Sequence, residues 1–137
     1  LIVKAKSTGR SWADKVMELR VEDHEEPLKE LRRLVRVHRA YEHMNNGDLA
    51  VEHNDVDGAL REYGAAKAMF PNNLEMKFWH AVALVNVGRT KDSLPLFKEI
   101  FAKDMNWTTL IPRLPASGTL SADEKIIKQI LSVAPQK

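Results

Sequence analysis

The sequence predicts a mainly α chain: antiparallel helical hairpins closed by a C-terminal capping helix, with a short pair of β-strands ahead of them. Three observations carry that prediction. Apolar residues recur at three and four through nearly every segment after Pro27, the spacing that puts them on one helix face. Two stretches match each other when displaced by about 34 residues, a period of stacked helix pairs. Ahead of Pro27 the period drops to two, the mark of strands.

The elements follow in order. "LIVKAK" is apolar and β-prone, "STGR" is turn chemistry, and "KVMELRVED" sets Met17, Leu19 and Val21 against Val16, Glu18, Arg20 and Glu22. An isolated hairpin is marginal in water, so these strands need the helices, a second copy of the chain or a further sheet. Pro27 suits the first turn of a helix, where its missing N–H costs nothing. Glu25 and Glu26 lie at the positive end of its dipole. Leu28, Leu31, Leu34, Val35 and His38 give that helix one apolar stripe. Helical spacing continues over 56–70, 74–87, 90–103 and 121–134, the last opening with Ser121 three before Glu124, a capping-box pattern.

The stretch "NNGDLAVEHNDVDGALREY", residues 45–63, tests this reading. Asn46-Gly47 is a hairpin signal only between strands, and the flanks here are helical. Asp55-Val56-Asp57-Gly58 resembles part of a calcium loop. Setting Gly58 at the loop's glycine puts His53 where Asp belongs and Gly64 where a bidentate Glu is required. Asp55 and Asp57 read better as the first residues of a helix, one capping and both favouring its dipole.

Laying residues 41–73 over 75–107 aligns Gly47 with Ala81, Asn54 with Gly88, Val56 with Thr90, Ala59 with Ser93, Tyr63 with Phe97, Ala66 with Ile100 and Pro71 with Met105. A small residue followed four later by an aromatic lets two helices approach and fills the groove to the next unit. Asn54 and Gly88 fall at the turn, where the left-handed conformation is cheapest for those residue types. The pattern resembles two tetratricopeptide (TPR) repeats, at about 40–73 and 74–107, with 108–137 as a capping segment. The second copy lacks the proline after its second helix, and Pro95 is expected to interrupt that helix near its first turn.

At 137 residues, 44% hydrophobic and 29% charged, the chain has the composition of one ordinary globular domain. Without cysteine it has no disulfides, thiolate zinc sites or cysteine nucleophile, which fits a reducing, cytoplasmic location. No apolar run reaches a membrane-spanning length, so no membrane partner is expected. A net charge of +2 does not suggest nucleic acid. The basic run "KELRRLVRVHRAYEH" winds round a helix beside Glu30 and Glu42 and reads as a solvated face. The five histidines include no H-E-x-x-H, His38 and His43 being awkwardly spaced for one face, and no metal or cofactor is expected. No Ser or Thr sits in G-x-S-x-G, and no glycine-rich phosphate loop occurs. The chain is therefore expected not to be an enzyme by itself.

Leu19-Arg20-Val21, Asp23-His24, Pro27 and Glu30-Leu31 with Arg33-Leu34 resemble the segment after the catalytic-like domain in a family with an Ntn-hydrolase-like fold. Trp107, Leu110, Pro112-Arg113-Leu114 and Gly118 in "NWTTLIPRLPASGTL" are similar to the C-terminal TPR-like extension that some members carry. The resemblance implies that residues 1–26 are the last strands of an upstream sheet and that 27–137 form the helical extension. It also implies that any nucleophile belongs to that upstream domain. The first residue is Leu1 and not Met, so the chain is expected to be the tail of something longer, with a removed targeting segment left open. The family's label for the extension implies peptidoglycan binding, for which Trp12, Trp79 and Trp107 are the candidate aromatics.

In TPR units the first helices line the concave face that receives partners. Projected onto this register, that face takes Tyr41, Met44, Asp48, Val51 and Glu52 from the first unit and Glu75, Phe78, Val82, Val85 and Asn86 from the second. It is apolar with a few acids and has no basic clamp for a C-terminal carboxylate. The expected partner is a protein or a second copy joined through the N-terminal strands, with glycan as the alternative. Two repeats are fewer than a stable stack needs, so the flanking helices must cap them, and "TTLIPRL" with the last helix stands ready to cover the groove.

Overall fold

A computed structural model of the chain describes residues 25–136, and the backbone at 2–4 and 15–18. The chain is mainly helical. Strands β1 (Ile2–Lys4) and β2 (Lys15–Glu18) pair antiparallel, Ile2 opposite Glu18 and Val3 opposite Met17. The expected turn at 7–10, the rest of both strands, Trp12, the Leu19–Val21 motif and His24 lie outside the described residues. Five α-helices follow: α1 (Pro27–Glu52), α2 (Val56–Met69), α3 (Leu74–Asn86), α4 (Thr90–Lys103) and α5 (Glu124–Ser132). Two 3₁₀ segments, Met105–Thr109 and Ile111–Ser117, link α4 to α5. The chain divides into two compact units, Leu1–Arg39 and Ala40–Lys137, so the border falls inside α1.

In the first unit α1 opens at Pro27, with the Glu30 carboxylate bound to Arg33 at 2.6 Å. Leu31, Leu34, Val35 and His38 of the expected stripe are half-buried. Leu28 departs from it, being 71% exposed. In the second unit α1 runs unbroken through Asn45-Asn46-Gly47. Ala40, Met44 and Gly47 are buried together on one face, at i, i+4 and i+7. A hairpin there would have thrown those residues to opposite sides.

A 34-residue repeat is plain in the geometry. Helices α2 and α4 begin 34 residues apart and are both 14 residues long. The turns before them match as well. Asn54 (φ 58°) and Gly88 (φ 81°) both adopt the left-handed conformation. Asp55 N donates to Ala50 O and Arg89 N to Leu84 O, each at 2.8 Å, while Asn54 N reaches Val51 O and Gly88 N reaches Val85 O. That pair of bonds satisfies carbonyls orphaned at the end of a helix. The aligned packing positions are buried in pairs: Ala59 with Ser93, Tyr63 with Phe97, and Ala66 with Ile100. Asp55 caps α2 by accepting from Gly58 N at 2.9 Å, in line with the helix-start role expected of it.

Two local expectations are corrected. Pro95 does not interrupt α4, which continues through it to Lys103. Pro95 and Lys91, four residues before it, are both exposed, so the hydrogen bond that proline removes lies on the solvent side of the helix and not in the core. The last helix is capped by Asp123, whose side chain accepts from Lys125 N at 2.8 Å. Ser121 accepts instead from Asp123 N, one step earlier.

Two apolar clusters form the core of the second unit. One gathers Ala40, Met44, Ala59, Tyr63, Ala66, Met76 and Ala83. The other joins Phe78, Val82, Val85, Phe97 and Phe101 to Ile111, Leu114, Leu120 and Ile130 from the C-terminal segment. Phe78 meets Phe97 edge-on at 5.8 Å and lies 4.8 Å from Trp107. The 3₁₀ segments and α5 therefore supply the apolar cover that a further repeat would give. Lys77 is buried at 4% exposure and pairs with Glu99 on α4. That contact, with Lys103 helping, holds the Glu99 carboxyl below its ordinary range.

Candidate functional site

The site begins with a missing side chain. Gly47 presents no Cβ to the ring of Tyr63, and one placed there would lie 2.5 Å from Tyr63 Cε1. The ring can therefore lie flush against α1 with its hydroxyl one residue further on, where it donates to Asp48 Oδ1 at 2.6 Å. Burial and the neighbouring carboxylate push the Tyr63 phenol up, keeping it protonated and donating. On the other side Tyr63 stacks on Trp79, ring centres 6.3 Å apart.

These residues open onto a hollow of about 280 Å³ lined by Asp48, Val51, Glu52, Tyr63, Trp79, Val82, Ala83, Asn86 and Thr119. A second hollow of about 390 Å³ adjoins it, sharing Val51, Ala83 and Asn86. Its remaining wall is Asn54, Val56, Ala59, Val85, Gly88, Gly118, Leu120, Ser121 and Ile126. Together they make one groove between the end of α1, α2, α3 and the irregular stretch before α5. Asn86 Nδ2 donates to Thr119 O at 2.9 Å and ties that stretch to α3.

The ten residues projected from the sequence separate into groups. Asp48, Val51, Glu52, Val82 and Asn86 come together in the first hollow, and Val85 lines the second. Met44 and Phe78 are core residues, 5% and 0% exposed. Tyr41 and Glu75 are exposed and bonded to each other, hydroxyl to carboxylate at 3.3 Å. The α3 face in the first hollow is Trp79, Val82, Ala83 and Asn86, a stripe at three and four turned from the projected one. Trp79 and Ala83 were available from that spacing. Thr119 was not, since its place depends on how the C-terminal segment folds back. Of the other candidate aromatics, Trp107 is half-buried and packs against the core cluster.

His80, beside Trp79, is neutral at pH 7. Burial first, then the charges of Lys67 and Arg89, push it down to about 4. Its buried Nδ1 has no hydrogen-bond partner among the described residues. His43 pairs with Glu62 at 2.6 Å, tying α1 to α2. Among the described residues no three of His, Asp and Glu stand close enough to hold a metal ion, and no helix is long and apolar enough to cross a membrane. Set against family models, curated proteins and solved structures, the chain matches none.

Proposed function

We propose that the chain is a non-catalytic interaction or assembly module of the tetratricopeptide type, in which the groove between α1, α3 and the C-terminal segment receives a protein partner. One observation carries this reading. Two adjoining hollows with apolar floors run along the ends of the first helices of both repeats, with a few polar side chains fixed among them, such as Tyr63 on Asp48 and Asn86 on Thr119. Concave, mostly apolar surfaces with a few fixed polar groups are where proteins bind ligands. The module belongs in this reading to a longer Ntn-hydrolase-like protein, and pairing of N-terminal strands between copies is its route to an oligomer.

The test is a groove-filling substitution, Val51→Trp, at a half-buried position shared by both hollows. Affinity capture and light scattering are compared for the wild type, this variant and a control at exposed Lys98. A partner or self-association lost only with Val51→Trp, at unchanged melting temperature, supports the reading. Identical behaviour of all three chains rejects it.

A second reading, binding of cell-wall glycan, has Trp79 in its favour. Its ring lines the first hollow beside Asp48, Glu52 and Asn86, the mix of aromatic and polar groups that sugars use. Tryptophan emission that stays constant while muropeptides are added would eliminate it.

A further inference from the structure

We infer that the groove takes an extended cationic peptide, with a Lys or Arg side chain in the first hollow and an apolar side chain two residues away in the second. The inference rests on the reading of the groove as a partner site and adds the chemistry of the occupant. The only charged residues lining either hollow are Asp48 and Glu52, both in the first. Both are negative, on a chain whose net charge is +2. One Asp48 oxygen is engaged by Tyr63. The other, and the Glu52 carboxylate, have no hydrogen-bond or ion-pair partner among the described residues. A cation entering there meets two carboxylates without displacing a resident one.

The rest of the first hollow suits the stem of such a side chain. Val51, Val82 and Ala83 give apolar surface for its methylenes, and Trp79 gives an aromatic wall for an ammonium or guanidinium. The second hollow is lined by no charged residue, and its walls include Val56, Val85, Leu120 and Ile126. It accepts an apolar side chain and would leave a charged one without a partner. Asn86 stands at the junction of the two hollows. Its Nδ2 is held by Thr119, and its Oδ1 is left to accept a peptide N–H. In an extended chain, residues i and i+2 point the same way, so alternate side chains of one strand can serve adjoining hollows.

The test uses two fluorescein-labelled hexapeptides, Gly-Leu-Ser-Arg-Ser-Gly and Gly-Arg-Ser-Leu-Ser-Gly, which present the pattern in both directions. Anisotropy titrations against the full chain are expected to show saturable binding for one of them. Replacing its Arg by Gln, or its Leu by Ser, should each weaken binding about tenfold or more. Glu52→Lys, at an exposed position, should weaken it similarly without moving the melting temperature. Failure of both directions to bind, equal binding of the Gln peptide, or indifference to Glu52→Lys each overturns the inference. So does self-association through the groove that the peptides do not compete away. Failure of the underlying reading would look different: Val51→Trp would then leave every association unchanged, whereas a partner lost with Val51→Trp beside non-binding peptides removes the cationic occupant alone.

Discussion

Gly47 shows how one atom decides a contact. A Cβ at 2.5 Å from a ring carbon must move something, and the ring is held on both sides, by Asp48 and by Trp79. Alanine is worth up to about 1 kcal/mol over glycine as a helix former, but overpacking costs about 1–3 kcal/mol. Gly47→Ala is therefore expected to lower stability by about 1–2 kcal/mol, read from urea denaturation. His80 carries a different expectation. Its folded pKa of about 4 lies below the ordinary 6.5, so between those values the unfolded chain binds more protons. The contribution of the neutral imidazole is complete above pH 6.5 and is lost as pH falls toward 4. Melting temperatures measured over that window should decline, and His80→Gln should flatten the decline. Gly47 was visible in the sequence, through its alignment with Ala81. The stacking of Tyr63 on Trp79 was not, because the spacing that places Trp79 on the groove stripe was read one position away.

Among the elements, α4 is the one that carries an avoidable cost. A proline at its sixth residue removes a backbone hydrogen bond from an exposed side of the helix, where the ring is left in solvent. Pro95→Ala is expected to raise stability by about 1–3 kcal/mol, seen as a higher melting temperature. The helix survives with proline because its inner face is anchored by Ser93, Phe97, Ile100 and Phe101, all fully buried. Propensity marks a weak point, and packing decides whether the helix breaks there. That is why the turns at Asn54 and Gly88 were legible in the sequence and the continuity of α4 was not. A left-handed residue leaves its mark in residue type, whereas packing against a distant segment leaves none nearby.

At the scale of the second unit, two repeats are stabilised by a segment that does not repeat. Leu120 and Ile130, at 4% and 0% exposure, sit in the same cluster as Phe78 and Phe97. Ile130→Ala is expected to cost about 2–4 kcal/mol, measured by denaturant titration, although it lies outside both repeats. The same segment builds one wall of the groove through Thr119, so the variant should also loosen the site before the chain unfolds. The helical repeat was legible because its packing positions recur locally. Closure of the groove by the C-terminal segment was expected, but the residues that make it were not legible, since the wall joins residues 33 apart through two short 3₁₀ segments whose course no period announces. Gly118, Thr119, Leu120, Ser121 and Ile126 line the hollows and none of 108–114 does.

The paired amine on α3 has a use of its own. Lys77 is the one lysine buried among the described residues, the others being half-buried or exposed. Its ammonium is occupied by Glu99 across the α3–α4 interface. An amine-reactive reagent should therefore modify the remaining lysines at once and reach this one only when α3 and α4 part. Mass spectrometry of the peptide containing Lys77 would then keep time for that opening, a clock built into the chain with no probe attached.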